Sequence, residues 1–219
     1  MLYKHLLFDL DGTLTDSSSG IYNAINFALQ QLGLAPQPSE VLKSFIGPPL
    51  VDSFSQILKL SPEQTKQALV LYRQYYKTTG LYENTPYSGI INLLERLKNK
   101  GYTLYLATSK PEAFAITILQ HFQLSMYFTG IYGATFDASR SQKADVIRYA
   151  LIQSGNQEFD KTLMIGDRYH DISGALINHI QCCGVTYGFG SKEELQQAGA
   201  TYLVESVAQL AQLLGVSDQ

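Results

Sequence analysis

Cysteine is scarce in this chain: two in 219 residues, and both sit side by side as Cys182 and Cys183 in "IQCCGVTYG". A disulfide framework needs spaced pairs, so a stapled secreted scaffold is excluded. Without ligand-spaced Cys or His partners zinc has no support either, and the pair reads as small buried hydrophobes in a strand. No apolar run approaches the roughly 20 residues that cross a bilayer, and "MLYKHLLFDLDG" holds no long apolar h-region. The expectation is a cytoplasmic protein with no membrane partner. Excess positive charge is missing too: 16 Lys and Arg face 19 Asp and Glu, a net charge of −3. That leaves no basic patch for a nucleic-acid polymer, although a local pocket can still attract a small anion. The sequence has neither a Walker lysine loop nor a GxGxxG fingerprint, which removes a nucleoside-triphosphate cradle and a dinucleotide fold. Internal repeats, charge blocks and low-complexity tracts are absent.

The remainder is ordinary globular material, 45% hydrophobic and 16% charged. A chain of this length buries enough surface for a core without staples, in one or two domains. Residues 3 to 9 read as a buried strand stopped by Gly12. From about Asp16 the pattern is helical: Ile21, Ile25, Ala28, Leu29 and Leu32 form one stripe, with Gly33 at the C′ position. Further helical stretches are expected at 39–46, at 50–58 and from Pro62 to Thr78 with Ser61 as cap. Beyond "YENTPYSG" strands and helices alternate. Ser88 is expected to cap a helix ended by Gly101, "YTLYLAT" to be a strand, and "KPEAFAITILQHF" a helix with Pro111 in its first turn. "FTGIYGATF", "KTLMIGD" and "CCGVTYG" are the remaining strands, between the helices "QKADVIRYALIQSG" and "DISGALINHI". Capping boxes are expected at Ser191 with Glu194 and at Ser206 with Gln209. This grammar predicts an α/β fold, a doubly wound parallel sheet, interrupted by an all-helical insert. The expected division is 1–15 with 85–219 as the core and 16–84 as the insert.

In such sheets ligands bind beyond the C-terminal ends of the strands. That edge would gather Asp9, Asp11 and Thr13; Thr108, Ser109 and Lys110; and Asp167 with Asp171. Lys143, near a helix start, could reach the same place. Converging carboxylates repel unless a cation sits among them, and magnesium suits oxygen-rich sites that meet phosphate. Hydroxyls and a fixed lysine suit the oxygens of a phosphoryl group. With no glycine-rich loop, a carboxylate nucleophile is the natural chemistry.

"DLDGTLTDS", "LATSKP", the Lys143 helix and "IGDRYHD" together resemble the haloacid dehalogenase superfamily, in its phosphatase branch, and the insert resembles that family's C1-type helical cap. The resemblance implies that Asp9 attacks phosphorus and becomes an aspartyl-phosphate. It implies that Asp11 protonates the leaving oxygen and then acts as base toward water. Asp9, the Asp11 backbone carbonyl and Asp167 would hold Mg2+, with Asp171 supporting the shell. Thr108 would bind the phosphoryl oxygens, and Lys143 would neutralise charge. Thr13, Ser109 and Lys110 are further substrate-binding candidates.

The family's dehalogenases lack the second acid, so Asp11 favours phosphoester chemistry. "FIGPPL" breaks the insert's helices, and the family's corresponding cap loop shapes substrate choice; Ile46, Gly47 and Pro48 are therefore specificity candidates, as is Arg140. Tyr72, Tyr75 and Tyr76 are assigned to packing of the insert rather than to base stacking. The pattern resembles 5′-nucleotidase members, with phosphoglycolate phosphatase as the alternative. A sugar phosphomutase and a catalytically silent binding module are the readings from other classes. The expected partner is a small phosphorylated metabolite, and the expected state a monomer or homodimer.

Overall fold

The computed structural model describes residues 2–217. The chain forms two compact units: one ends at Asp16 and resumes at Pro86, and the other is Ser17–Thr85.

The first unit is built on a six-stranded parallel sheet, so the fold is the expected α/β one. Its strands are β1 (His5–Phe8), β2 (Thr103–Pro111), β3 (Gly130–Ala134), β4 (Thr162–Gly166), β5 (Gln181–Val185) and β6 (Tyr202–Val204), in the spatial order β3-β2-β1-β4-β5-β6. His5 of β1 pairs with Thr103 on one side and Thr162 on the other. The central strands are near-continuous apolar runs because helices cover both faces. Leu7, Met164 and Cys182 lie in one core cluster with Val146, Ile147 and Ile172. Both cysteines are free and buried, and burial pushes the Cys183 thiol up to about 12. The chain winds outward from β1 to β3, then crosses back and winds outward from β4 to β6. The order therefore reverses between β1 and β4, and a crevice opens at that point, at the carboxyl ends of the strands.

Several local expectations are corrected. Strand β2 does not stop at Thr108 but runs to Pro111, with its register against β3 shifting between those residues. The following helix accordingly begins at Glu112. Ser88 is not a cap: Gly89, at φ +86°, starts the helix Ile90–Asn99, a left-handed conformation that glycine adopts without a Cβ penalty. Only half of each expected C-terminal capping box forms. Ser191 accepts from the Glu194 amide and Ser206 from that of Gln209, but the Glu194 and Gln209 side chains bond elsewhere.

The second unit is helical. Ser18–Gln31 buries Ile21, Ala24, Ile25, Ala28 and Leu29 along one face, and Gly33 follows at φ +71°. Ser39–Lys43 is a short helix, and Leu50–Asp52 widens into a π-helical turn over Ser53–Ile57. Pro62–Tyr75 begins with a complete Ser61–Gln64 capping box and ends in a second π turn, Tyr76–Gly80. Tyr72 and Tyr76 stack with ring centroids 5.3 Å apart and are buried, while the Tyr75 hydroxyl donates to Glu83. These are packing roles. The backbones approach closely at Gly20, where a Cβ would lie 2.1 Å from the Gly80 carbonyl oxygen. Backbone cannot yield as a side-chain tip can, so Gly20→Ala is expected to destabilise this unit by about 2 kcal/mol, in the range of overpacked cores. Denaturant unfolding checks this, and an unchanged midpoint would show that the helices can separate without cost.

Candidate active site

Three acids meet at the crevice from two sheet strands that are neighbours in space but distant in sequence. Asp9 follows β1, Asp167 follows β4, and Asp171 lies in the first turn of the helix Tyr169–Ile177. All three are buried, and each offers an oxygen within 4.8 Å of the others. Lys143, the first residue of the helix Lys143–Gln153, places its ammonium 2.8 Å from Asp9 Oδ1 and 2.8 Å from Asp171 Oδ1. The same Nζ donates to the Ala107 carbonyl at 3.0 Å. Gly174 allows this placement, because a Cβ there would lie 3.1 Å from Lys143 Cγ and from the Ala144 nitrogen.

The electrostatics follow from one ammonium among three carboxylates. Burial alone would lower the Lys143 pKa, but the charges of Asp171 and Asp9 hold it above the ordinary lysine value. Burial pushes Asp167 well above the usual carboxylate range, and Asp171 and Asp9 add to the rise. Burial likewise raises Asp171 to about 6, with Lys143 opposing the shift. The cluster is thus short of positive charge. Its donors are all hard carboxylate oxygens, the set that suits Mg2+ or a similar divalent cation. Asp9, Asp167 and Asp171 fit such an ion.

The acids are also held by backbone. Asp171 Oδ2 accepts from the Arg168 amide at 3.0 Å, and Asp167 Oδ2 accepts from the Phe189 amide at 2.8 Å. Around Asp167 the chain comes too close for side chains. A Cβ at Gly12 would lie 2.1 Å from Asp167 Oδ2, one at Gly188 2.4 Å from its Cβ, and one at Gly190 2.0 Å from its carbonyl oxygen. The segment "YGFGS" after β5 is therefore part of the site, which the sequence reading missed. The available signal was two glycines flanking an aromatic just past a buried strand, at the sheet edge where ligands bind. Glu194 was missed as well: it bonds Arg168 Nε at 2.8 Å and the Tyr169 amide at 2.9 Å, steadying the turn that carries Asp171.

Asp11 Oδ2 lies 3.0 Å from the Lys110 ammonium.

 Both side chains are largely screened from water. Lys110, a substrate-binding candidate by sequence, is thus paired with Asp11, because the shifted end of β2 carries it there. Thr13, another such candidate, instead donates its hydroxyl to Asp167 Oδ1 at 3.4 Å. Thr108 is buried, and its Oγ1 accepts from the Lys110 amide at 3.2 Å, which leaves the hydroxyl hydrogen available to donate. Ser109 between them is half-buried. Arg140 is engaged within the core unit: Nε donates to the Gly133 carbonyl at 2.8 Å, Nη2 lies 3.3 Å from Glu112, and the guanidinium covers the Tyr149 ring at 3.6 Å. Ile46 is buried, while Gly47, at φ +109°, and Pro48 are half-buried.

A family model described as haloacid dehalogenase-like hydrolase matches residues 6–185. In sequence the chain is similar to a 5′-nucleotidase of Pseudomonas aeruginosa, 44% identical over 97% of this chain and 96% of that protein. It is also similar to the tyrosine-protein kinase PtkA of Mycobacterium tuberculosis, 35% identical over 96% of this chain and 72% of that one. In structure it is similar to a predicted phosphatase from Clostridium acetobutylicum, with a TM-score of 0.92 and 46% identity, covering 98% and 99% of the two chains.

The raised proton affinity of Asp171 has a measurable sign. Its folded value of about 6 exceeds the ordinary 3.8, so in the metal-free protein its stabilising contribution is present at low pH and is lost as pH rises through 6. A divalent cation needs the ionised form and competes with that proton. The rise in Tm produced by Mg2+ is therefore expected to be larger at pH 8 than at pH 5. Equal shifts at both pH values would mean that Asp171 does not take part in holding the ion.

Proposed function

We propose, from a chain that belongs to the haloacid dehalogenase-like hydrolases and is a phosphoric monoester hydrolase, that it cleaves small phosphate monoesters through an aspartyl-phosphate at Asp9. The observation that carries this reading is the buried cluster of Asp9, Asp167 and Asp171 joined to Lys143. Asp9, Asp167 and Asp171 would hold Mg2+, which supplies positive charge where an anionic phosphate must approach an anionic nucleophile.

The remaining chemistry belongs to the chain's own groups. Lys143, tied to Asp9 Oδ1, restrains the nucleophilic carboxylate and offsets its charge. An oxygen of Asp9 attacks phosphorus as the bond to the leaving oxygen breaks, and Asp11 gives that oxygen its proton. In the second half water attacks the same phosphorus, Asp11 takes a proton from it, and the Asp9–phosphorus bond breaks to release phosphate. The Thr108 hydroxyl, with its hydrogen unused by Lys110, is suited to a phosphoryl oxygen.

We assign nucleoside 5′-monophosphates as the substrate class, supported by the likeness to the Pseudomonas 5′-nucleotidase. Phosphoglycolate is the alternative substrate. The likeness to a protein named as a tyrosine kinase favours a second reading, in which a hydroxyl acceptor takes the place of water.

Phosphate release from nucleoside monophosphates, phosphoglycolate and sugar phosphates, with Mg2+ and with chelator, tests the assignment. Turnover is expected to be fastest with nucleotides, to vanish with chelator, and to fall roughly 10⁴-fold or more in Asp9→Asn. Preference for phosphoglycolate would overturn the substrate class alone. Full turnover by Asp9→Asn would overturn the nucleophile.

A further inference from the structure

Asp11 has two oxygens in unlike surroundings. Oδ2 faces the Lys110 ammonium at 3.0 Å, whereas Oδ1 is buried and has no hydrogen-bond partner among the described residues. The Lys110 side chain is only 5% exposed, so the pair is shielded from exchange with solvent. It is placed by an irregularity: the register of β2 against β3 shifts between Thr108 and Pro111, and the Lys110 amide turns back to Thr108 Oγ1. Register shifts of this kind re-aim side chains beside active sites.

An ammonium only donates hydrogen bonds, through three N–H groups, and accepts none. A proton on Asp11 Oδ2 would therefore point donor against donor at Lys110. A proton on Oδ1 leaves Oδ2 as the carbonyl-type oxygen, still able to accept from Nζ. From this asymmetry we propose that Lys110 is a positioning residue for acid–base catalysis: it fixes the Asp11 carboxyl group and makes Oδ1 the oxygen that exchanges the proton.

The proposal rests on the aspartyl-phosphate reading above, and its steps balance as follows. In the first, an Asp9 oxygen bonds to phosphorus, the ester P–O bond breaks with its electron pair going to the leaving oxygen, and that oxygen takes the proton from Oδ1. In the second, water oxygen bonds to phosphorus, its proton passes to Oδ1, and the Asp9–phosphorus bond breaks to restore the carboxylate. Lys110 keeps its three protons throughout.

A leaving group that needs no proton separates this role from substrate binding. With p-nitrophenyl phosphate the first step no longer depends on Asp11, while the second still does. Lys110→Met in the Mg2+-loaded enzyme is expected to form the intermediate at the normal rate and hydrolyse it slowly. Rapid mixing should then show a burst of p-nitrophenolate stoichiometric with enzyme, absent from the unmodified protein. With a nucleoside monophosphate, kcat should fall roughly a hundredfold with little change in KM, and Lys110→Arg should restore part of it. A variant with raised KM, unchanged kcat and no burst would make Lys110 a substrate-binding group and overturn the proposal. Circular dichroism and the melting temperature of both variants identify any that fail to fold, and Lys110→Arg alone then decides: a kcat loss without a KM rise supports positioning, and the reverse overturns it. Failure of the underlying reading is distinguishable, because acid-quenched mass spectrometry of Asp11→Asn after mixing with p-nitrophenyl phosphate would then find no phosphate on Asp9.

Discussion

The contact between one buried ammonium and two buried carboxylates organises this molecule. Lys143 reaches Asp9 and Asp171 at 2.8 Å each, and Asp167 completes an acidic cluster that a single lysine cannot neutralise. Charges buried without adequate partners cost several kcal/mol each, so the surrounding structure must offset that cost. It does so with aligned backbone amides, those of Arg168 and Phe189, and with hydroxyls such as Thr13. Burial is what raises the proton affinity of Asp171, and the deficit of positive charge that remains suits the cluster to a divalent cation.

The strand order makes the cluster possible. Because winding reverses between β1 and β4, the residues that follow these neighbouring strands project past the sheet edge side by side. The same edge receives the chain after β5, and Gly188 and Gly190 let it close over Asp167 to within distances that no side chain would tolerate. Packing and charge are coupled here: the close approach excludes water, and that exclusion is what raises the Asp167 proton affinity.

The meeting of Asp9, Asp167 and Asp171 was legible in the sequence because Asp9 and Asp167 follow apolar runs, with Asp171 four residues on, where an α/β sheet exposes its ligand edge. The strand positions, the helical insert and the helix stop at Gly33 were readable from periodicity and glycine placement. What was not legible depends on distance across the fold. The half-formed box at Ser191 has a local explanation only in the structure, where Glu194 bonds Arg168 instead of its own helix start. Arg140 was a specificity candidate by sequence, and its partners, Gly133, Glu112 and Tyr149, could not be foreseen because they come from separate elements. The register shift in β2 leaves no mark in "TSKP" that distinguishes it from an ordinary strand end.

That shift leads to a division of labour between two lysines. Lys143 enters from a helix start and pairs with Asp9 and Asp171, whereas Lys110 enters from a strand end and pairs with Asp11. Each ammonium already faces a carboxylate, so a phosphoryl group arriving at this edge meets no uncommitted lysine of this pair. Under the function proposed above, its negative charge would be met by a cation held by the acids and by neutral donors such as the Thr108 hydroxyl. Such an arrangement leaves both lysines to hold the carboxylates of Asp9, Asp171 and Asp11 still. Carboxylates, ammonium groups and a hydroxyl can recognise only what is common to every phosphate monoester, so discrimination among such esters has to come from elsewhere in the chain.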